Sequence, residues 1–269
     1  MPSGILIVDK PAGWTSMDVC AKIRGIFHEK RVGHGGTLDP MATGVLPVFV
    51  GCATRAVEFA ENGQKEYVAG LRLGLVTDTQ DTTGATLETR PVTASRAAVE
   101  AALSRFLGEQ DQIPPMYSAI KVAGQKLYEL ELLEQVCETD FLLRCRCSKG
   151  TYIRTLCHDI GRLLGCGGAM CSLRRTMAAG FTAEQAVTLD QVQQQGEALL
   201  LPTDSLFAEH PALLLTSAAA EKRVCCGNPI TLPGTADGIY RIYSQDRRFL
   251  CLSQARDGTL TSIKNFFGA

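Results

Sequence analysis

The amino-acid sequence predicts an α/β fold in a chain of 269 residues, long enough to bury a sizeable core. Three observations lead there. Short apolar runs bounded by Gly, Pro, Asp and Lys read as strands. Segments with apolar residues three and four apart read as amphipathic helices, and the two kinds alternate through most of the chain. From about residue 211 the texture changes to short β-like runs. The expected organisation is a main domain over residues 1–210 and a small β-rich appendage over 211–269.

Taken in order, residues 4–9 read as a short buried strand, and Lys10-Pro11-Ala12-Gly13 as the turn after it. Thr15 caps a helix with Asp18 three residues on, as in a capping box, and Val19, Ile23 and Phe27 give that helix one apolar face. The glycine-rich loop Gly33-His34-Gly35-Gly36-Thr37-Leu38-Asp39-Pro40 leads into a strand at 45–50. Residues 65–73 form another strand, 77–84 a polar loop rich in Asp and Thr, and 94–107 a helix in a stretch that Pro114-Pro115 ends. Residues 126–135 are expected to be helical, and 141–147 a strand feeding a helix at 152–164. In the tail, 239–243 and 249–252 are strands joined by the turn Ser244-Gln245-Asp246-Arg247.

Composition narrows the function classes. The N-terminus carries no basic segment followed by a long apolar run, and the apolar runs 5–8 and 45–50 are too short to span a bilayer, so a cytoplasmic protein is expected. Eleven cysteines cannot all pair, and none forms a C-x-x-C. Cys145 and Cys147 alternate onto one strand face, which suits buried thiols rather than a metal site. The net charge of −1 argues against indiscriminate nucleic-acid binding. Residues 141–180 nevertheless hold Arg144, Arg146, Lys149, Arg154, Arg162, Arg174 and Arg175 against the single acid Asp159, a patch that favours a polyanion contact over a solvated face.

Two clusters could carry chemistry. The glycine loop lacks the Gly-Lys-Ser/Thr ending of a phosphate loop, which argues against a nucleoside triphosphate ligand. Its glycines let the backbone approach a ligand closely, and Pro40 pushes Asp39 towards an extended conformation. From spacing alone, Asp39 is either a catalytic carboxylate or a cap for Thr43-Gly44. The second cluster, Lys149-Gly150-Thr151-Tyr152-Ile153-Arg154, lies at a strand-to-helix junction suited to phosphate, and Arg154 could equally pair with a buried carboxylate.

With these residues in hand, the sequence resembles the TruB family of pseudouridine synthases. Gly35-Gly36-Thr37-Leu38-Asp39-Pro40 followed by Ala42-Thr43-Gly44 is similar to that family's catalytic motif. Further similar blocks follow in the family's order: Asp9-Lys10-Pro11, Lys65-Glu66-Tyr67, Thr77-Asp78-Thr79, Pro115-Met116-Tyr117-Ser118-Ala119 with Lys121, Lys126-Leu127-Tyr128-Glu129, Cys147 through Arg154, and Leu173-Arg174-Arg175. Together they span roughly residues 4–190. Met41 departs from the family's more usual Leu, a change that conserves volume.

The resemblance implies a mixed, largely antiparallel sheet flanked by helices, with the tail as a PUA-like RNA-binding domain. It implies isomerisation of a uridine to pseudouridine at position 55 in the T-loop of tRNA. Asp39 then falls on the nucleophile, Tyr67 on the ring that stacks on the target base, and Arg154 on the partner of the aspartate. His34 falls on a histidine that contacts RNA near the flipped nucleotide, and Tyr152 and Leu173 on residues lining the uridine pocket. Lys10 matches a motif lysine, although a turn lysine in solvent fits its position as well. Structural alternatives stand beside three of these: Tyr67 alternates with Ala69, Leu71 and Leu73 as a core residue would, His34 reads as a loop histidine, and Leu173 as packing. Breaking the N1–C1′ bond and joining C5 to C1′ oxidises nothing and releases no group, so no cofactor or metal is expected. The implied partner is the T-arm of tRNA, with no membrane and no obligatory protein partner, and the chain is expected to be a monomer. The alternative from another class is an RNA-binding or tRNA-folding protein in which catalysis is secondary.

Overall fold

The structure, a computed structural model, describes residues 2–112 and 122–267. The Pro114-Pro115 pair and the motif from Pro115 to Lys121 lie outside the described residues.

In chain order the strands and helices are β1 (Gly4–Lys10), α1 (Ser16–Phe27), β2 (Val32–His34), β3 (Thr43–Val50), α2 (Val57–Asn62), β4 (Lys65–Leu73), β5 (Leu75–Thr77), β6 (Thr86–Thr89), α3 (Arg96–Leu103), β7 (Gly108–Gln112) and β8 (Val122–Gln135). There follow β9 (Asp140–Cys147), α4 (Ile153–Leu163), β10 (Gly168–Ala178), β11 (Phe181–Thr182), α5 (Leu189–Gln195), β12 (Ala212–Leu214), α6 (Ala218–Cys225), β13 (Ile230–Thr231), β14 (Gly238–Tyr243), β15 (Phe249–Arg256) and β16 (Thr259–Asn265). The main sheet runs β1-β3-β10-β4-β9-β8-β7, with β2 on β3 and β11 on β10. Among the described residues every pairing in it is antiparallel except β3 with β10, the mixed, largely antiparallel sheet expected.

Local sequence explains the first layer. Thr15 and Asp18 form the capping box that starts α1. The helix buries Val19, Cys20, Ile23 and Phe27 against Leu6, Val8, Leu46 and Val48 of β1 and β3. These central strands are apolar on both faces because the second face is covered as well, by Phe181 and Phe207 among others. On the other half of the sheet, α3 and α4 lay Val99, Leu103, Leu156 and Ile160 over Leu71, Phe141, Leu143 and Met170.

One expected element is of the wrong type. Residues 126–135 are not helical but belong to β8, which pairs with β9. Leu, Glu, Lys and Gln all favour helix, yet the pairing with β9 overrides that preference. Register breaks at Leu127/Glu129 and Leu132/Glu134 blur the two-residue period that would have betrayed a strand. Leu127 and Leu132 turn inward, while Glu129 and Glu131 turn outward to meet Arg146 and Arg144 of β9.

The β-rich tail is a second sheet, ordered β12-β14-β15-β16-β13. It docks through rings: Phe207 lies 5.2 Å edge-on to Phe59 and 5.5 Å from Phe266, which stacks on Phe249 at 5.2 Å. Lys264 pairs with Glu58 at 2.7 Å, and Arg55 donates to the Phe267 carbonyl at 3.0 Å. Among the described residues no helix is long and apolar enough to cross a membrane.

Candidate active site

The loop between β2 and β3 is fixed from both ends. Gly35 donates from its backbone to Pro47 at 2.9 Å, and a Cβ there would stand 2.7 Å from Ala60 Cβ, so only glycine fits. Ser16 Oγ accepts from Leu38 N at 2.9 Å and donates to Leu38 O at 3.3 Å. The Pro40 carbonyl accepts from Gly13 N at 2.8 Å and from Lys10 Nζ at 3.2 Å. Both chain neighbours of Asp39 are therefore held by the turn that follows β1.

Lys10 is not a solvent lysine. It is fully buried, and its ammonium also donates to the carbonyls of Pro11 at 2.9 Å and Trp14 at 2.6 Å. Burial lowers its pKa, while the nearby Asp39 charge opposes that shift.

The Asp39 carboxylate turns to Arg154, and no hydrogen bond to Thr43 or Gly44 is made among the described residues. Arg154 Nε lies 3.0 Å from Asp39 Oδ2, and Nη2 lies 3.4 Å from Oδ1. The guanidinium reaches further, with Nη1 3.4 Å from the Thr79 carbonyl and 3.7 Å from Asp81 Oδ2. Asp81 is itself clamped, accepting from Thr79 Oγ1 at 2.9 Å and from Thr83 N at 2.9 Å. The polar loop at 77–84 thus anchors Arg154 from behind. Its Asp and Thr residues were visible in the sequence, but nothing in their spacing says which helix residue they hold.

Asp39, Tyr67, Tyr152, Arg154 and Leu173 line one cavity of about 480 Å³. β4 supplies Tyr67, the junction before α4 supplies Tyr152, the first turn of α4 supplies Arg154, and β10 supplies Leu173. Tyr67 is 8% exposed, and burial pushes its phenol up to about 12. Both readings of Tyr67 and Leu173 therefore hold in part, since each belongs to the core and also borders the cavity. His34 does not line it. It sits at the end of β2 with Nδ1 buried and without a hydrogen-bond partner, and burial lowers its pKa, with Arg175 adding to the effect.

Besides the exposed Lys149, two buried cations border the cavity. Lys65 donates to the carbonyls of Glu61 and Gly63 at the end of α2, and burial pushes it down to about 8. Arg175 is 1% exposed, donates to Val45 O at 2.7 Å and Gly36 O at 3.2 Å, and has no carboxylate within ion-pair distance among the described residues. Sequence reasoning counted these two as motif and patch members only, because nothing in a pattern separates a buried cation from a surface one.

The basic stretch at 141–180 is largely neutralised in space. Arg144 pairs with Glu131, Arg146 with Glu129, Arg162 with Asp159 and Arg174 with Asp9. Arg154 pairs with Asp39, so of the seven cations only Lys149 and Arg175 have no ion-pair partner among the described residues. All eleven cysteines are free thiols, and Cys145 and Cys147 share the inner face of β9.

A model described as "TruB family pseudouridylate synthase (N terminal domain)" matches residues 24–138. A second, "tRNA pseudouridylate synthase B C-terminal domain", matches residues 154–208. The chain is 39% identical to a tRNA pseudouridine synthase B of Burkholderia mallei (strain NCTC 10247), over 96% of this chain and 94% of that protein. It is 41% identical to one of Alkaliphilus oremlandii (strain OhILAs), over 91% and 88%. Among solved structures, a chain of a Cbf5-Nop10-Gar1 complex superposes with a TM-score of 0.78 at 28% identity, covering 98% of this chain and 85% of that one. A chain of an H/ACA RNP bound to a substrate RNA containing 2′-deoxyuridine gives the same score at 27% identity and the same coverage. These matches span nearly the whole sequence, including the loop that carries Asp39, and the chain belongs to the TruB family of pseudouridylate synthases.

Proposed function

We propose that the chain isomerises a uridine in the T-loop of tRNA, at position 55, to pseudouridine, with Asp39 as nucleophile and with no cofactor or metal. The observation that carries this is the two-point contact of Arg154 with Asp39 at a cavity large enough for one nucleotide and bordered by Tyr67. The reaction moves the C1′ bond of one nucleotide from N1 to C5, C5 gives up its proton and N1 gains one, so electrons and atoms balance between substrate and product. What it asks of a protein is an oriented carboxylate, a place for the extruded base, and exclusion of water. The guanidinium fork sets the carboxylate's direction through charge-assisted hydrogen bonds. Tyr67, backed by the sheet, offers a ring to the extruded base, worth roughly 1–3 kcal/mol by comparison with stacking in single-strand binders. Tyr152 and Leu173 would border the base, whereas His34 would act from outside the cavity, against RNA near the flipped nucleotide.

The second sheet is proposed as an RNA-binding accessory of the PUA kind, over residues 211–269, whose exposed Lys222, Arg223 and Arg247 could meet phosphates. The setting that goes with this function is the cytosol, with the chain acting as a monomer. The test is to map pseudouridine in a T-arm RNA after incubation with the purified chain and with Asp39→Asn. Product at the T-loop uridine is expected from the first and none from the second, which should still bind RNA within severalfold. Product from Asp39→Asn would remove the nucleophile assignment. RNA binding without any product from the unaltered chain would favour the RNA-folding alternative.

A further inference from the structure

Trp14 is the only tryptophan of the chain and stands 36% exposed, three positions before Met17, which is 54% exposed. Exposed apolar side chains are individually ordinary. What sets this pair apart is the way it is mounted. The Trp14 carbonyl and the Pro40 carbonyl are held by the same buried ammonium, Lys10 Nζ, at 2.6 and 3.2 Å. Gly13, next to Trp14, donates to Pro40 at 2.8 Å. Ser16, one residue before Met17, holds both backbone groups of Leu38. The capping box of Thr15 and Asp18 locks the same turn to α1. The backbone that carries the exposed indole is therefore tied by buried and part-buried hydrogen bonds to the residues on either side of Asp39.

We propose that Trp14, together with Met17, is a stacking platform for an unpaired base of the substrate RNA next to the target uridine. The proposal rests on the RNA-modifying reading above. Turning one nucleotide out of its stack exposes the faces of its neighbours, which costs a few kcal/mol unless another flat surface meets them. An indole has the largest flat face among side chains and accepts any base, so it stabilises the opened loop without reading sequence. Fixing the backbone under that surface to the segment that carries the carboxylate limits the distance between flipped and supported nucleotides. The exposed Lys22 of α1 and Lys30 beyond it can meet the backbone of the same strand.

Because the chain has one tryptophan, emission excited beyond the tyrosine absorption band reports on this position alone. The full chain is titrated with an end-labelled T-arm hairpin RNA, reading label anisotropy and tryptophan fluorescence together. Quenching that saturates along the anisotropy curve is expected. Trp14→Ala should raise KM about 5- to 150-fold, the span of a 1–3 kcal/mol stacking loss, with most of the effect absent from kcat. Trp14→Phe should recover most of it. Anisotropy change without quenching, or Trp14→Ala with the KM of the unaltered chain, overturns the proposal. Absence of any anisotropy change rejects the RNA reading itself. Fluorescence that changes with protein concentration alone assigns the face to a second copy of the chain and also overturns it. If Trp14→Ala melts early, the quenching of the unaltered chain decides.

Discussion

Replacing Arg154 by lysine tests whether the direction of the Asp39 carboxylate matters beyond the presence of a positive charge. Arginine makes two contacts with that carboxylate, at 3.0 and 3.4 Å, and a third and fourth to Thr79 and Asp81 at 3.4 and 3.7 Å. A lysine ammonium keeps the charge but is a point donor, unable to span both carboxylate oxygens and the loop behind. The loss is about one hydrogen bond to a charged group, roughly 1.5–3 kcal/mol. Because the Asp39 side chain is 37% exposed, water screens the pair and the lower half of that range applies. If the contact is needed in the transition state, the rate falls about 10- to 40-fold. Single-turnover pseudouridine formation on a T-arm RNA, with affinity measured alongside, reads this directly. A rate within threefold of the unaltered chain would refute the reasoning, as would a loss confined to affinity.

Two further perturbations test the surroundings. Lys65 titrates near 8 in the fold against an ordinary 10.5, so the unfolded chain binds more protons between those values and stability rises with pH across them. Melting temperatures measured from pH 7 to 10.5 should show Lys65→Met losing that rise relative to the unaltered chain, and parallel curves would contradict the assignment. Phe207 is 3% exposed within the ring cluster that joins the two sheets, so Phe207→Ala should cost about 3–5 kcal/mol in denaturant unfolding. A chain ending near residue 209 should be less stable still, because it bares Phe59 and Phe207 together. A soluble truncated chain of unchanged stability, weakened only in binding tRNA, would show that the tail is an RNA accessory and no structural part.

The sequence was most legible where local chemistry decides the outcome. The Thr15–Asp18 box, the apolar runs of β1 and β3, and the face of α1 depend on neighbours in the chain, and each formed as expected. β8 was misread because its pairing with β9 is non-local and its bulges scramble the alternation. The site followed the same division. Asp39 and Arg154 lie 115 positions apart in sequence, and only the resemblance joined them. No pattern could show that Asp81 steadies Arg154, that Lys10 is buried, or that acids of β1 and β8 cancel the basic stretch. Each of those depends on which surfaces the sheet brings face to face.

The distribution of thiols has a practical consequence for following the molecule in motion. Cys145, Cys147 and Cys157 are sealed inside, and burial raises the pKa of each, so none offers a reactive thiolate while its surroundings stay closed. Cys137, at the turn between β8 and β9, is exposed, and hydrogen bonding from Thr139 lowers its pKa. A mild alkylating reagent should therefore mark Cys137 within moments, while each interior sulfur waits for its own strand or helix to open. Mass spectrometry of the labelled peptides over time would turn the cysteines into a set of local clocks, spread from the second sheet to β9 and α4, that record which parts of the enzyme breathe and which do not.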